Sequence, residues 1–454
     1  MQRWIGLVAG TWLFLAPLAT AADGWKAGAA RVAITPQQLM WMSGYGSRDQ
    51  PAEGKLTDLW AKALVLEDAS GHRALLLTLD LVGIDRGTSQ RVCQQVEKEY
   101  GLPRSQVAIC TSHTHCGPAI GRNLAPLHYL IVDSRQQQLI DDYTRELEQK
   151  LVRVVGDALG KLAPVRLTWG SGQATYAVNR RANSEAKVVE LRDAGTLQGP
   201  SDHDVPVLAA QDREGRYVAI VFGYACHATV LSFYQWCGDH PGFAQADLEQ
   251  THPGCVAMFW AGCGADQNPL PRRTVELARH YGRRLATAVD EVLLTTAMRE
   301  VAPQLACTYR EVALPLAQLP TRDDLMRDLQ SDNKYTVARA KALLAQVDAG
   351  QPLSPTYPYP VATWRLGEEV QFVTLGGEVV VDYAVRLKSE LGGKKTWVAG
   401  YAHDVMAYIP SRRVLREGGY EGGGSMVYYG LPTIWAEAVE ETIVQEVKSQ
   451  LGAR

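Results

Sequence analysis

Short apolar runs alternate along the chain with longer stretches in which apolar residues recur at every third or fourth position. The short runs are rich in Val, Ile and Leu, which favours strands, whereas the periodic stretches favour helices. Strands are predicted at Arg31–Ile34, Ala61–Leu66, Arg73–Leu79, Val107–Cys110, Val165–Trp169, Val188–Leu191, Val205–Ala209, Val218–Tyr224, Val256–Trp260, Cys307–Leu316, Val370–Leu375 and Trp397–Ala399. Helices are predicted at Thr88–Tyr100, Arg135–Leu162, Thr274–Leu294, Arg322–Asp348, Val381–Leu391 and Pro432–Lys448.

This alternation predicts an α/β fold, with mixed β-sheets flanked by helices. Several of the apolar runs are continuous, so we expect their strands to be covered on both faces. The charged helical stretch at about 321–350 is closed by Gln351–Pro355 and predicts a helical insertion packed outside the sheet. Because no repeat or domain-length linker occurs, the favoured organisation is one large domain over residues 22–454.

Composition narrows the class of protein without identifying it. The 454 residues are 46% hydrophobic and 21% charged, which excludes a disordered, collagen-like or multi-span membrane chain. The 46 basic and 49 acidic residues give a net charge of −3, so nothing predicts a nucleic-acid partner. The eight cysteines contain no Cys-x-x-Cys pair. They are interpreted either as buried thiols or as including one bridge among Cys237, Cys255 and Cys263.

The amino terminus has the pattern of a cleavable signal peptide. Arg3 precedes the apolar run Trp4–Leu18, and the small residues Ala19–Ala21 follow. The run is shorter than the roughly 20 residues of a membrane span. We therefore expect residues 1–21 to be removed and the protein to be periplasmic or secreted, with an uncleaved anchor as the alternative.

Histidines follow two of the predicted strands. His113 and His115 lie just after Val107–Cys110, and in an extended segment positions i and i+2 face the same way. His227 lies just after Val218–Tyr224. Since functional groups of α/β proteins collect at strand ends, these imidazoles are candidate metal ligands. The alternative for each is a hydrogen-bonded structural histidine.

Other strand ends carry further candidates. Gly262–Pro269 follows a strand and forms either an oxyanion-binding loop or an ordinary strand-to-helix turn. Glu378 follows Val370–Leu375 and offers a carboxylate, and Asp80 ends Arg73–Leu79, either as a support for the histidines or as a solvated strand end. Chemistry alone does not single out Tyr408 or Tyr420.

Taken in order, these segments resemble the neutral (alkaline, non-lysosomal) ceramidase family. The family's Thr-His-Thr-His-Ser-Gly-Pro is similar to Ser112–Pro118, and its Asn-Arg pair is similar to Asn179-Arg180. Its Phe-x-x-x-x-His segment is similar to Phe222–His227, which is followed by Gly238–Ala244. The Gly-Glu segment stands at Gly377-Glu378, and two tyrosines 12 residues apart stand at 408 and 420. The resemblance runs from Gly44-Tyr45-Gly46 to Tyr420-Glu421-Gly422, most of the chain.

The resemblance implies a zinc-dependent hydrolase with one Zn²⁺ per chain. It implies His113, His227, Glu378 and Tyr408 as ligands, and His115, Arg180 and Tyr420 around the scissile carbonyl. In such a site the metal activates water, Arg180 and a tyrosine stabilise the oxyanion, and His115 carries a proton to the leaving amine. The implied substrates are N-acyl sphingolipids.

Two departures from the family pattern bear on the substrate. The family's Gly-Asp-x-Ser-Pro-Asn is here Gly264–Pro269, with Asn268 before the proline, so an acyl-enzyme at this position is excluded. Only residues 431–454 follow the tyrosine segment, so we expect the family's C-terminal β-sandwich domain to be missing. The alternatives are therefore a zinc hydrolase of a soluble ester, amide or acylated sugar, or a non-catalytic periplasmic binding protein.

Overall fold

Two β-sheets pack face to face between outer layers of helices in a computed structural model that describes residues 24–294 and 298–453. The strands are β1 (Trp25–Ala33), β2 (Gly54–Lys55), β3 (Trp60–Glu67), β4 (Arg73–Leu79), β5 (Val107–Thr111), β6 (Ala163–Gln173), β7 (Ala177–Asn179), β8 (Asp204–Gln211), β9 (Tyr217–Tyr224), β10 (Gln235–Trp236), β11 (Val256–Ala261), β12 (Gln267–Pro269), β13 (Arg299–Glu300), β14 (Leu305–Pro315), β15 (Thr356–Leu366), β16 (Val370–Leu375), β17 (Glu378–Val379), β18 (Thr396–Ala399) and β19 (Tyr408–Ile409). The signal peptide predicted at residues 1–21 lies outside the described residues.

The helices are α1 (Arg86–Tyr100), α2 (Ser134–Leu159), α3 (Val188–Asp193), α4 (Asp239–Thr251), α5 (Val275–Leu294), α6 (Arg322–Asp328), α7 (Lys334–Asp348), α8 (Val381–Leu391), α9 (Arg412–Glu417), α10 (Met426–Tyr429) and α11 (Val439–Leu451). Short 3₁₀ turns lie at Arg104–Gln106, Glu185–Lys187 and Gly393–Lys395, and a π-helical turn lies at Tyr420–Gly424. Within the described residues, none of these helices has both the length and the apolar character needed to cross a bilayer.

The larger sheet has the strand order β11-β9-β8-β6-β1-β3-β4-β5, with β13 paired to β6. Its two outermost pairs, β11 with β9 and β4 with β5, are parallel, and the pairs between them are antiparallel. The smaller sheet has the order β14-β15-β16-β18. The predicted α/β class with mixed sheets is confirmed.

Three apolar layers hold the sheets and helices together. In β3, Ala63 and Val65 point to the core under the helices, whereas Leu64 and Leu66 point to the core between the sheets. Trp260 and Trp397 stack across that inter-sheet core with ring centroids 6.4 Å apart. A third core joins the smaller sheet to α8 and α11. Continuous apolar runs therefore mark strands with two covered faces, as predicted.

The sequence predictions fail at a few elements. Val188–Leu191, predicted as a strand, is part of helix α3, where Val188 is buried and Val189 is exposed. A strand must pair with the edge of a sheet. This segment instead continues a 3₁₀ turn on the surface. The helix predicted at Arg322–Asp348 divides into α6 and α7, which form the expected insertion between the paired strands β14 and β15.

All eight cysteines are free thiols, so the bridge considered among Cys237, Cys255 and Cys263 is not formed. Burial raises the pKa of the Cys237 and Cys255 thiols to about 12. Thiols with such pKa values are protonated near neutral pH and pack as small apolar groups. The second interpretation, buried structural thiols, therefore holds.

A segment that follows β18 joins the two edges of the larger sheet. In this bridging segment (residues 399–409), Ala399 pairs with Gly262 beyond β11, and Ala402 pairs with Cys110 in β5. The segment ends in β19, which pairs in parallel with β17. The ends of β5, β9 and β11 are thereby gathered around one stretch of chain.

Close packing of β1 against α2 gives a direct test of the fold. A Cβ at Gly28 would lie 2.1 Å from the Ala158 carbonyl oxygen and 2.8 Å from the Leu162 nitrogen, both of which are backbone atoms. We predict that Gly28→Ala lowers the free energy of unfolding by about 1–3 kcal/mol, because the helix must move. Gly54→Ala, where a Cβ meets nothing within 4 Å, is the matched control and should be neutral in urea unfolding.

The bridging segment carries a buried acid that makes stability depend on pH. Asp404 accepts a hydrogen bond of 2.6 Å from the Tyr357 hydroxyl, and its backbone oxygen accepts one of 2.8 Å from Gly377. Burial raises the pKa of Asp404 to about 7, with Asp85 acting in the same direction and Arg86 against it. In the unfolded chain the same carboxyl releases its proton near pH 3.9.

Between these two pKa values the folded protein holds a proton that the unfolded chain has lost, so stability falls as pH rises. Between about pH 5 and about pH 8, this carboxyl should lower the free energy of unfolding of the wild type by about 3 kcal/mol. We predict that Asp404→Asn loses this part of the pH dependence. Asp239 and Asp266, whose pKa values burial raises to about 6, contribute equally to both proteins. The same loss in the exposed Asp323→Asn control would contradict the assignment.

Candidate functional site

Two loops that follow strands of the larger sheet bring three histidines to one buried position. His113 comes two residues after β5, and His227 comes three residues after β9. His113 adopts a left-handed backbone with φ 58°, a conformation that is uncommon outside glycine and typical of functional sites. The ring of Tyr401, in the bridging segment, lies against it with centroids 4.2 Å apart.

Glu378 and Tyr408 are placed side by side by the short pairing of β17 with β19. They are register partners in this parallel pair, so their side chains leave the strands on the same side. The turn before Glu378 needs a glycine, because Gly377 has φ 74° and a Cβ there would lie 2.7 Å from the Ala407 carbonyl oxygen. The carboxylate and the phenol thus reach the histidines together.

The imidazoles converge on one carboxylate oxygen. The Nε2 atoms of His113 and His227 each lie 3.2 Å from Glu378 Oε2. His115 Nε2 lies 3.1 Å from His113 Nε2, and the Tyr408 hydroxyl lies 3.4 Å from His227 Nε2. All four predicted metal ligands and His115 therefore meet in one cluster.

The hydrogen bonds on the far side of the rings prepare this cluster for a cation. His113 Nδ1 is 2.5 Å from the Val82 carbonyl oxygen, and His227 Nδ1 is 2.7 Å from the Gly264 carbonyl oxygen. A carbonyl can only accept, so both protons reside on Nδ1 and both Nε2 lone pairs face Glu378. Glu378 Oε2 is buried and has no hydrogen-bond donor within the described part of the chain. Two imidazole nitrogens and a carboxylate oxygen are thus directed at one position, and this set of donor atoms fits a divalent metal such as zinc.

The three histidines also satisfy a purely geometric requirement for a metal site. Their nearest ring nitrogens lie within 4.8 Å of one another, and all three side chains are buried. This grouping includes His115, which the sequence analysis assigns to proton transfer. The geometry therefore allows His115 as a third nitrogen ligand or as a neighbour of the metal.

Burial controls the protonation of these groups. Burial, followed by the proximity of His113 and His227, holds the pKa of His115 well below its ordinary value, and burial lowers the pKa of His227 to about 4. Burial alone would raise the pKa of Glu378, but the two imidazoles hold it well below its ordinary value. Burial, then the charge of Glu378, raises the pKa of Tyr408 well above its ordinary value. Burial therefore favours the neutral form of His115 and His227, which lie beside a single carboxylate.

Arg180 links this cluster to the other predicted catalytic residues. Its guanidinium donates to the Tyr408 hydroxyl over 3.1 Å, to Asn268 Oδ1 over 3.4 Å and to Glu421 Oε1 over 2.8 Å. The ring of Tyr420 lies 5.2 Å from that of Tyr408, and 45% of the Tyr420 residue is exposed. Arg180, Tyr420 and Asn268 thus lie together at the open side of the site.

Sequence reasoning did not select two residues that shape the cluster. The Tyr429 hydroxyl donates a short hydrogen bond to Glu378 Oε1, the oxygen that does not face the histidines. Gly44 lies so close to His115 that a Cβ would be 2.5 Å from its ring. Tyr429 follows another tyrosine near the end of the chain, and no periodicity or spacing distinguishes it. Gly44 opens the Gly-Tyr-Gly segment of the family resemblance, which was its only signal.

Asp80, considered as a support for the histidines, has its hydrogen-bond partners elsewhere. It is buried, so it is not a solvated strand end. Its carboxylate accepts from the Trp60 backbone nitrogen over 3.0 Å and from Gln245 Nε2 over 3.3 Å. These bonds tie the end of β4 to β3 and α4.

A cleft of about 760 Å³ leads from the surface to the cluster. Its lining includes His115, His227 and Tyr408 at the inner end. Aliphatic side chains are few in this lining, and charged groups are frequent. The site is therefore accessible to a substrate through a cleft lined by charged groups and tyrosine rings.

Comparison with protein families shows which known proteins this chain is similar to. Residues 25–259 match the family described as neutral/alkaline non-lysosomal ceramidase, N-terminal. The chain is 23% identical over 486 aligned positions to neutral ceramidase of Pseudomonas aeruginosa, and the match covers 91% of this chain and 70% of that protein. It is 25% identical to neutral ceramidase of Drosophila melanogaster over 56% of this chain and 36% of that protein.

Solved structures show the same fold. The crystal structure of neutral ceramidase from Pseudomonas aeruginosa superposes with a TM-score of 0.72 at 21% identity, covering 95% of this chain and 75% of that one. A structure of a ceramidase complexed with C2 gives a TM-score of 0.71 at 19% identity. The mixed α/β architecture is thus shared over nearly the whole of this chain.

Proposed function

Since the chain belongs to the neutral/alkaline non-lysosomal ceramidase family, we propose that it is a zinc-dependent hydrolase that cleaves the amide bond of N-acyl compounds. The observation that carries this proposal is the position of Glu378 Oε2, which is buried, without a hydrogen-bond donor among the described residues, and 3.2 Å from each of two imidazole Nε2 atoms. The named relatives are neutral ceramidases, so N-acyl sphingolipids are the first substrates to test. The signal-like residues 1–21 support export, to the periplasm or out of the cell.

In this proposal His113, His227 and Glu378 hold the metal, with Tyr408 beside them. When bound, zinc polarises a carbonyl oxygen and makes water a stronger nucleophile. The protein keeps both ligating rings in the required tautomer through the Val82 and Gly264 carbonyl oxygens. Tyr429 fixes the carboxylate from its other oxygen.

The remaining residues stabilise charge and move a proton. The Arg180 guanidinium and the Tyr420 hydroxyl lie at the cleft side, where they can donate to a carbonyl oxygen that gains negative charge. Asn268 accepts from Arg180 through Oδ1, which leaves its amide hydrogens available to a substrate. His115 is neutral and lines the cleft, so it can take a proton and pass it to the leaving amine.

A second candidate function keeps the metal and changes the substrate to a soluble ester, amide or acylated sugar. The charged groups and the scarcity of aliphatic side chains in the cleft lining favour it, because a long acyl chain is normally bound by apolar side chains. Asn268 in place of the family serine also favours a different substrate. Comparing kcat/KM for short soluble acyl compounds and for long-chain N-acyl sphingoid bases distinguishes the two.

Three histidine variants test the assignment of the metal ligands. We predict that His113→Ala and His227→Ala lose both bound zinc and hydrolysis. His115→Ala should retain zinc and lose about 10²–10⁴-fold in kcat, because it removes proton transfer only. Zinc is measured by elemental analysis of the purified proteins, and hydrolysis by release of the fatty acid.

The exposed His280→Ala is the control for these variants and should match the wild type in both measurements. Loss of zinc in His115→Ala would make it a third ligand and overturn its assignment as a proton carrier. A wild-type protein that binds no zinc, and hydrolyses no N-acyl compound when zinc is supplied, would exclude the proposed function.

The contact between Tyr429 and Glu378 predicts a role in metal affinity. Tyr429→Phe removes the only donor that the described residues offer to Glu378 Oε1. We predict a fall in zinc affinity of about 10–100-fold, the usual effect of removing a group that orients a ligand. Tyr428→Phe, at the adjacent position in the cleft lining, is the control. Competition with a chromogenic chelator measures both, and equal affinities would show that Tyr429 does not orient the carboxylate.

A further inference from the structure

Among the charged side chains that line the cleft, one arginine lacks a carboxylate partner. The lining includes four arginines, at 180, 181, 272 and 273, and three glutamates, at 185, 417 and 421. Arg180 and Arg181 share Glu421, and Arg181 also reaches Glu417. Glu185 bonds Arg272 through both of its oxygens, over 3.0 and 2.7 Å. Within the described residues, no carboxylate lies in salt-bridge contact with Arg273.

The chain holds Arg273 at the cleft despite an unfavourable backbone. Its φ is 100°, in the region that favours glycine, and its backbone nitrogen donates to the Val230 carbonyl oxygen over 2.7 Å. Such a conformation is costly for a side chain with a Cβ and is often found at binding sites. The residue is exposed, and the one hydrogen bond of its guanidinium to a side chain of the described residues is a long one of 3.4 Å to the Tyr45 hydroxyl.

Tyr45 connects Arg273 to the reaction centre. Its ring lies 4.7 Å from the His115 ring, and Arg273 Cζ lies 5.7 Å from the same tyrosine ring. The Tyr45 hydroxyl is fixed by a hydrogen bond of 2.8 Å to the Leu231 carbonyl oxygen. Arg273 is therefore one aromatic ring beyond His115, the residue assigned to the leaving amine.

We propose that Arg273 binds an anionic group on the amine part of the substrate, which makes N-acyl amino acids and related N-acyl acids the favoured substrate class. This inference rests on the proposed function, because it uses the position of the leaving amine. A guanidinium that has no carboxylate partner within the described residues attracts a carboxylate or sulfonate, and it can bind this group through two hydrogen bonds. A neutral amine component offers this arginine only uncharged hydrogen-bond acceptors, which bind a guanidinium more weakly than a carboxylate does.

A matched pair of substrates tests the proposal. N-Dodecanoylglycine and N-dodecanoylglycinamide have the same acyl chain and the same scissile bond, and they differ in one charge. We predict that the wild type prefers the acid in kcat/KM by about tenfold, the size of one charge-assisted hydrogen bond. Arg273→Gln should lose this preference through KM, and Arg273→Lys should keep part of it. The preference should weaken as NaCl rises from about 50 to about 500 mM.

The control is Arg279→Gln, an exposed arginine that lies over the Phe243 ring outside the cleft lining. It should keep the wild-type preference, and all variants should retain the wild-type thermal midpoint. Equal kcat/KM for the acid and the amide in the wild type, or an unchanged preference in Arg273→Gln, would overturn the proposal.

Analogues that the protein cannot hydrolyse test the anion site at Arg273 independently of the proposed amide hydrolysis. N-Dodecylsulfonylglycine and its glycinamide counterpart resist hydrolysis, so their affinities can be measured calorimetrically. If neither dodecanoyl compound is cleaved but the sulfonyl acid binds about tenfold more tightly in an Arg273-dependent way, the anion site stands and the assignment as an amide hydrolase fails. If the two sulfonyl analogues bind equally to the wild type, the anion site is excluded whatever the protein hydrolyses.

Discussion

The convergence of two imidazoles on one carboxylate oxygen is the constraint on which the rest of the site depends. His113 and His227 approach Glu378 Oε2 to 3.2 Å, and each ring is oriented by a backbone carbonyl behind it. Three lone pairs directed at the same volume repel one another unless a cation or a proton occupies it. The surrounding structure must therefore supply rigidity, and it does so through Tyr401 and Tyr429, which contact His113 and Glu378 directly. This rigidity favours metal binding, because ligands that are already in position lose little conformational freedom when the metal binds.

That rigidity comes from a long-range feature of the fold. β5 and β11 are at opposite ends of the larger sheet's hydrogen-bonding order, yet the bridging segment contacts both. The same segment carries Tyr401 and leads into β19, which holds Tyr408 beside Glu378. A displacement of residues 399–409 would consequently move ligands that come from three separate regions of the sequence. Local unfolding of this segment is therefore coupled to the integrity of the whole cluster.

The local pattern of apolar and polar residues was sufficient to predict most of the helices and strands and some of the residues of the site. Strands such as Ala61–Leu66 and Val218–Tyr224 are continuous apolar runs, because both of their faces are buried. The histidines could be identified because they come just after runs of this kind. β15 was missed because Pro358 and Pro360 interrupt its pattern. Glu378 and Tyr408 depend on a pairing of two-residue strands, which no periodicity can reveal, and only the family resemblance indicated Tyr408. Tyr429 and Arg273 carry no sequence signal, since their importance lies in which partner each one has.

The inner and outer parts of the site differ in what they imply about the substrate. The inner cluster is buried, and it contains the four residues that the family resemblance indicated as metal ligands. The cleft that leads to it is lined by four arginines and three glutamates, and Asn268 stands where the family has a serine. Bond cleavage is determined by the inner groups, whereas the choice of substrate is determined by the groups that meet its distant parts. One catalytic centre can serve different substrates, so the groups of the cleft decide which compound the proposed hydrolase would accept. The charged groups of the cleft therefore bear directly on which N-acyl compound the proposed hydrolase would take.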